Sequence, residues 1–378
     1  MRNQIIDNLR GICMLGVIAI HVGSSAAKTD NFTLYMFLEI LSRYSIPTFF
    51  FISGYGLFLT DKAFLTGGAL DYKSFIFKRL KGAGLPYIAW SILYLAYFDS
   101  YLPPGWISWG KRDLAFALWF GTCCYHLYFM VILLWFYAFY PVWRKLLKIM
   151  QNVGWKTSFV LLFIFQLAFN YASINISPTN LKMWPEFLRN MYNFRLNYVP
   201  FHYIFVFMAG GFVSLYWDEC KAWLKKNFTA SLAFFILAVV LDVGSCWYYK
   251  AYKGYNLEAL ANTFHQLSPQ GLVYTIAAII FFSACLVKLE DYECTCKLSS
   301  FVNSFIIKLS GYATLMYYCH PLLLDRLELY SKWYGIVPTS KRIIAAYFLL
   351  VLASFILSYI LKQIFKHCKP LSILFTGK

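Results

Sequence analysis

The chain has 378 residues, of which 60% are hydrophobic and 13% charged, and its formal net charge is +17. A soluble domain carries about 25% charged and about 45–50% apolar residues, so a soluble enzyme core is excluded and a polytopic membrane protein is expected. The positive charge is read as Lys and Arg held in cytoplasmic loops; without a Gly-rich phosphate loop, an RNP-like motif or a basic arm, nucleic acid is not an expected partner.

Ten cysteines are present. Most sit in apolar runs, where Cys acts as a small hydrophobe. Cys294 and Cys296 form a lone CxC, and adjacent Cys123 and Cys124 would bridge only with strain. No disulfide framework and no metal site are expected.

In chain order, about ten spans near the ~20 residues a bilayer requires are expected: 5–24, 35–59, 76–98, 125–143, 157–173, 200–217, 228–248, 270–288, 302–325 and 341–366. The first, "IIDNLRGICMLGVIAIHVG", is too long and too polar for a cleavable signal. It carries Asp7, Arg10 and His21. Ionisable groups in a membrane helix are costly and normally functional. Eleven positions at 100° per residue place Arg10 and His21 about 20° apart in azimuth and ~16 Å apart along the axis, with Asp7 within roughly 40° of that line. The alternative is an Arg that snorkels to the headgroups and an interfacial His.

The second span, "RYSIPTFFFISGYGLF", holds Arg43, with Glu39 one turn earlier as its nearest local partner. Pro47 is expected to kink it, and Ser53-Gly54 allows a close helix approach. Lys78, Arg79 and Lys81 mark the inner mouth of the third span. They read either as positive-inside charge or as a phosphate site. Residues 115–124 are expected to form a short re-entrant or interfacial helix. Four histidines fall at span ends assigned to the outer face: His21, His126, His202 and His320. Each alone reads as interfacial, whereas four at one depth point to general-base chemistry. Tyr317 lies one turn before His320, and Pro321 after it is expected to interrupt the helix.

With the N-terminus inside, 19 basic residues fall in inner segments and 12 in outer ones, so both termini are expected to be cytoplasmic. No internal repeat or soluble insert is visible, and residues 1–378 read as one all-α transmembrane domain.

The motifs "DNLRGICMLGVIAIH", "PTFFFISGYGLF", "FKRLKGAGLPY", "YHLYFMVILLW" and "YYCHPLLL" occur in an order that resembles the membrane-bound acyltransferase family 3 proteins. The Arg-x10-His spacing with Phe-Phe-x-x-Ser-Gly is the specific part. Departures are Tyr128, where that family carries Trp, and Lys81, where some members carry Arg. The resemblance implies transfer of an acyl group, expected to be acetyl, from cytoplasmic acyl-CoA to a hydroxyl of a sugar or of a surface or secreted glycan. It implies a multi-pass protein of a bacterial inner membrane, with acetyl-CoA as donor substrate. Arg10, Lys78, Arg79 and Lys81 would meet the CoA phosphates. His21, with Arg10, Asp7 and His320, would carry the chemistry, and Arg43, Ser53, Tyr317, His126 and His202 would line the substrate path. A glycan exporter or flippase and a glycan polymerase are the competing classes. Matching broken repeats would mark the exporter and large outer loops the polymerase, and neither is evident. Oligomeric state stays open.

Overall fold

The structure is a computed structural model that describes residues 3–100, 111–292 and 297–378, without the side chains of 111, 112, 292 and 297–299. The expected Cys294–Cys296 pair lies outside the described residues. Helix accounts for 85% of the described residues, and no strand occurs among them. The main helices run in chain order as α1 Gln4–Gly23, α2 Ser45–Thr60, α3 Tyr72–Arg79, α4 Leu85–Asp99, α5 Lys111–Phe120 and α6 Tyr128–Ala138. They continue as α7 Tyr140–Val153, α8 Trp155–Asn175, α9 Glu186–Asn193, α10 Ile204–Leu215, α11 Trp217–Lys226 and α12 Phe228–Lys253. The last five are α13 Leu257–Thr263, α14 Pro269–Tyr292, α15 Lys297–Trp333, α16 Ser340–His367 and α17 Lys369–Thr376.

Among the described residues, five helical stretches are long and apolar enough to cross a membrane, or up to seven if two bent pairs each count as one span. Of the other five expected spans, four fall where the chain breaks, and the ninth falls in unbroken α15, which is not among the stretches apolar enough to count. The second expected span contains a π-helical stretch, Met36–Ile40, ahead of α2, and the third contains another, Leu80–Gly84, ahead of α4. The fourth bends by 66° between α6 and α7, and the sixth by 100° between α10 and α11. Proline marks several of these restarts: Pro86 and Pro141 occupy the first two positions of α4 and α7. A proline there loses no intrahelical hydrogen bond and has its φ preset.

Two proline expectations are corrected. Pro47 lies in the first turn of α2, so it starts that helix rather than kinking it. Pro321 lies inside α15, which continues through it to Trp333. Twelve further residues of helix beyond Pro321 carry the element across the lost hydrogen bond, so His320 sits within a continuous helix.

The helices form two compact units. The first comprises residues 1–59 and 209–360. Its centre is α1, packed on α15, α14 and the Met36–Ile40 stretch. Asn3 starts α1 by accepting from the Ile5 and Ile6 amides. In α1, 72% of the apolar window is buried, against 17% in α12 and 22% in α16. So α1 is a core helix, while α12 and α16 keep apolar faces outward. Ile236, Val240, Phe348 and Leu352 are each more than half exposed, as expected of a surface solvated by lipid.

Close approach is built from glycine. A Cβ at Gly11 would meet Ile306 O of α15 at 3.0 Å, and one at Gly210 would collide with Phe51 O of α2. Small residues let membrane helices pack backbone to backbone. A buried bond from Asn8 Nδ2 to Asn303 Oδ1, 2.7 Å, joins α1 to α15.

The second unit comprises residues 60–208 and 361–378. In it α17 packs on α4, and α8 packs on α7. Asp61 ties it locally: it caps Phe64 N at 2.9 Å, pairs with Arg144 at 2.7 Å and accepts from the Tyr140 hydroxyl at 3.0 Å. Residues 115–120 of the expected re-entrant segment fall in α5.

Candidate active site

In the first unit, α1 and α15 bring two histidines together. The rings of His21 and His320 stack with centroids 5.3 Å apart and planes 26° apart. His320 is fully buried, and its Nδ1 lies 3.0 Å from Met316 O. A carbonyl only accepts, so Nδ1 carries the proton and the imidazole lone pair is on Nε2. Tyr317 adds a ring 6.4 Å from that of His320. His21 is half-buried.

Arg10 occupies the same uninterrupted helix as His21. Eleven residues of α-helix separate them, ~16 Å along the axis. Arg10 Nη1 pairs with Asp7 Oδ1 at 2.9 Å, with Arg10 35% and Asp7 8% exposed. Asp7 therefore stands with Arg10, fourteen residues from His21, and fixes the guanidinium rather than the imidazole. Around them run further polar contacts: Asn3 Nδ2 donates to the Tyr55 hydroxyl at 2.8 Å, and Gln4 Nε2 to Asn8 Oδ1 at 2.8 Å. This end of α1 is polar, and the histidine end carries the ring stack.

The other expected site residues are distributed differently. Arg43 pairs with Glu39 at 2.6 Å, as its sequence position implies, and also donates to Ala261 O at 2.6 Å. Ser53 Oγ donates to Phe49 O at 2.8 Å, a back-bond within its own helix. Lys78, Arg79 and Lys81 belong to the second unit. Lys78 and Lys81 are exposed. Arg79 lies 5.3 Å from the Phe75 ring centroid and 5.5 Å from that of Tyr137, a sandwich that holds a guanidinium by cation–π attraction. Its Nε is buried without a hydrogen bond among the described residues.

His126 and His202 also belong to the second unit, so the structure pairs two of the four histidines within one unit. His126 is buried edge-on to Tyr94, with centroids 5.3 Å apart. His202 is fully buried, with Nδ1 2.9 Å from Asn170 Oδ1 and Nε2 3.3 Å from Ser173 Oγ. Arg195 Nε donates to Ser173 O at 2.7 Å and its guanidinium lies 4.0 Å from the Tyr192 ring centroid. Both His202 nitrogens are thus engaged in holding α8.

Two residues were missed in the sequence. Asp242 is 2% exposed on α12, and its Oδ1 has no hydrogen bond among the described residues. A carboxylate inside "LAVVLDVGS" is a visible anomaly in an apolar run. His265, between α13 and α14, accepts from Leu267 N at 3.1 Å, and burial with the nearby Arg43 charge lowers its pKa to about 4. That depends on tertiary packing and had no sequence signal. No group of three or more His, Cys, Asp and Glu suited to a metal occurs among the described residues.

Residues 3–363 match the acyltransferase family 3 model, described as an acyltransferase domain. The chain belongs to the acyltransferase 3 family. No curated protein and no solved structure shows a significant match. Membership makes this a membrane acyltransferase. Within the first unit of this acyltransferase, α1 carries the stacked His21 at one end and the Asp7-held guanidinium of Arg10 at the other.

Proposed function

We propose that the protein transfers an acetyl group from cytoplasmic acetyl-CoA to a hydroxyl of a sugar or of a surface or secreted glycan on the outer side of a bacterial inner membrane. The stacking of His320 on His21, which shares α1 with Arg10, is the observation that carries this reading. Arg10, steadied by Asp7, binds a CoA phosphate, because a guanidinium suits phosphate geometrically. In the second unit the proposed phosphate-binding cluster is Lys78, Arg79 and Lys81. His21 takes the proton of the acceptor hydroxyl as its oxygen attacks the thioester carbonyl. The tetrahedral intermediate collapses by breaking the carbon–sulfur bond, and the proton passes to the leaving thiolate, giving an ester and free CoA. His320 orients His21 through the ring stack, and Tyr317, whose ring neighbours His320, lines the substrate path. The proposed topology keeps ten membrane passages, counting broken helices as passages, with both termini cytoplasmic. The charge asymmetry of the loops supports it.

The test is purified protein in lipid nanodiscs with labelled acetyl-CoA and a mixed glycan acceptor, reading CoA release. Wild-type protein should release CoA in step with ester formation, and His21→Ala should lose about 10²–10⁴-fold of it. Near-normal release by His21→Ala would remove His21 from the chemistry.

A further inference from the structure

A cavity of about 430 Å³ lies in the first unit immediately beyond the histidine pair. It is within the ~300–1,000 Å³ common for small-molecule sites. Both histidine-bearing elements lead into it. Ser25 follows His21 by four residues, and Leu324 and Glu328 follow His320 by one and about two turns of an unbroken helix. That puts Leu324 ~6 Å and Glu328 ~12 Å past His320 along the axis. The far wall is the start of α16 with the loop before it, and includes Arg342.

The wall is apolar over most of its area but its charges are unequal. Lys28, Lys332 and Arg342 face one carboxylate, Glu328. Ser25 Oγ donates to Glu328 Oε1 at 3.4 Å, which engages that carboxylate from within the wall. Arg342 spends one N–H on Val337 O at 2.8 Å and has five donors in all. It also stands in the first turn of α16, where the helix dipole adds positive potential. A neutral sugar gives such a wall nothing to neutralise.

We propose that this cavity is the acceptor subsite and that its acceptor is anionic: a glycan residue bearing a carboxylate or a phosphate, read by Arg342, Lys332 and Lys28. Glu328 faces the hydroxyls of the same residue and disfavours over-charged ligands. The position rests on the acyl-transfer reading of His21, but the charge preference has its own readout. Arg342 takes the oxyanion in the bidentate manner open to guanidinium, and the two lysines supply point charge. The acceptor hydroxyl is then presented toward His21 from the cavity's inner end.

Binding without turnover tests it. Calorimetric titrations on the full chain in phosphatidylcholine nanodiscs would compare trigalacturonic acid with galactotriose and glucose 1-phosphate with glucose. At least one anionic probe should bind tenfold or more tighter than its neutral counterpart. Arg342→Gln and Lys332→Gln should each weaken that probe at least fivefold and leave the neutral sugar unchanged, and Arg342→Lys should retain part of the preference. Glu328→Gln should tighten it, a gain that misfolding cannot produce. Equal affinity for charged and neutral probes, or indifference to these variants, overturns the proposal. Repeating the series in phosphatidylglycerol discs separates a glycan oxyanion from a lipid headgroup. If neither anionic probe binds in phosphatidylcholine, and the variants instead change retention of phosphatidylglycerol, the cations serve lipid and the proposal fails. No acetyl-CoA is present, so failure of acyl transfer and failure of the charge preference are read separately.

Discussion

His21 and His320 are 299 residues apart in sequence and 5.3 Å apart as rings. Their partnership makes a test available. His320→Ala should lower turnover by less than His21→Ala, and the double variant should be no slower than His21→Ala alone, because groups acting as a unit are not additive. Multiplying losses in steady-state assays would separate the two. Arg10 belongs to a different step. Arg10→Ala should weaken CoA binding in a titration more than it slows bound-state transfer, with Arg10→Lys restoring part of the affinity but none of the bidentate geometry. Asp7→Asn should resemble Arg10→Lys, since Asp7 fixes the guanidinium rather than touching the donor. Equal CoA affinity in all three would make this pair structural. At this scale the local geometry of the candidate site was legible. Arg10 and His21 share a helix stripe by arithmetic, and Glu39 is found beside Arg43 as spacing implies. The His21–His320 stack was not, because no local pattern encodes which distant helix packs on α1.

Helices that keep one apolar run unbroken, α1, α8, α12, α14 and α16, were legible from composition and length. The broken ones were legible only in part. Pro86 and Pro141 mark restarts because proline favours the first turn, but the same reasoning misplaced Pro321, where a long helix on both sides absorbs the lost bond. The π-helical stretches at Met36–Ile40 and Leu80–Gly84 left no recognised signal. Packing between elements gives two stability tests. Gly210→Leu must displace the Phe51 carbonyl region, and overpacking of that kind costs about 1–3 kcal/mol. Its unfolding midpoint in detergent should fall clearly, and an unchanged midpoint would deny the α2–α10 approach. Asn303→Leu leaves Asn8 without its buried partner. Membrane side-chain bonds average about 0.6 kcal/mol, while an orphaned buried polar group costs about 1–3 kcal/mol. The single variant should therefore lose more than the pair Asn8→Leu with Asn303→Leu.

For the whole molecule, composition alone settled the membrane class, and motif order settled the family. Acceptor, sidedness and acyl chain are not properties of composition, because they depend on what two or three side chains meet. Protonation adds a global readout. His265 binds its proton with a pKa of about 4 against a reference of 6.5, because it is buried and near Arg43. Its native neutral form is favoured above 6.5, and that stability is lost as pH falls toward 4. Thermal midpoints should drop over that window, and less so in His265→Gln; an equal drop in both would assign the acid sensitivity to other groups. The central claim, that His21 is the base for acyl transfer from a donor on one side to an acceptor on the other, has its most direct test in sealed proteoliposomes of known orientation. Labelled acetyl-CoA is confined to the side carrying the chain termini and glycan acceptor to the opposite side. Wild-type protein should give labelled ester on the acceptor side, and His21→Ala should lose it. Label confined to the donor side, or equal transfer by His21→Ala, would contradict the claim.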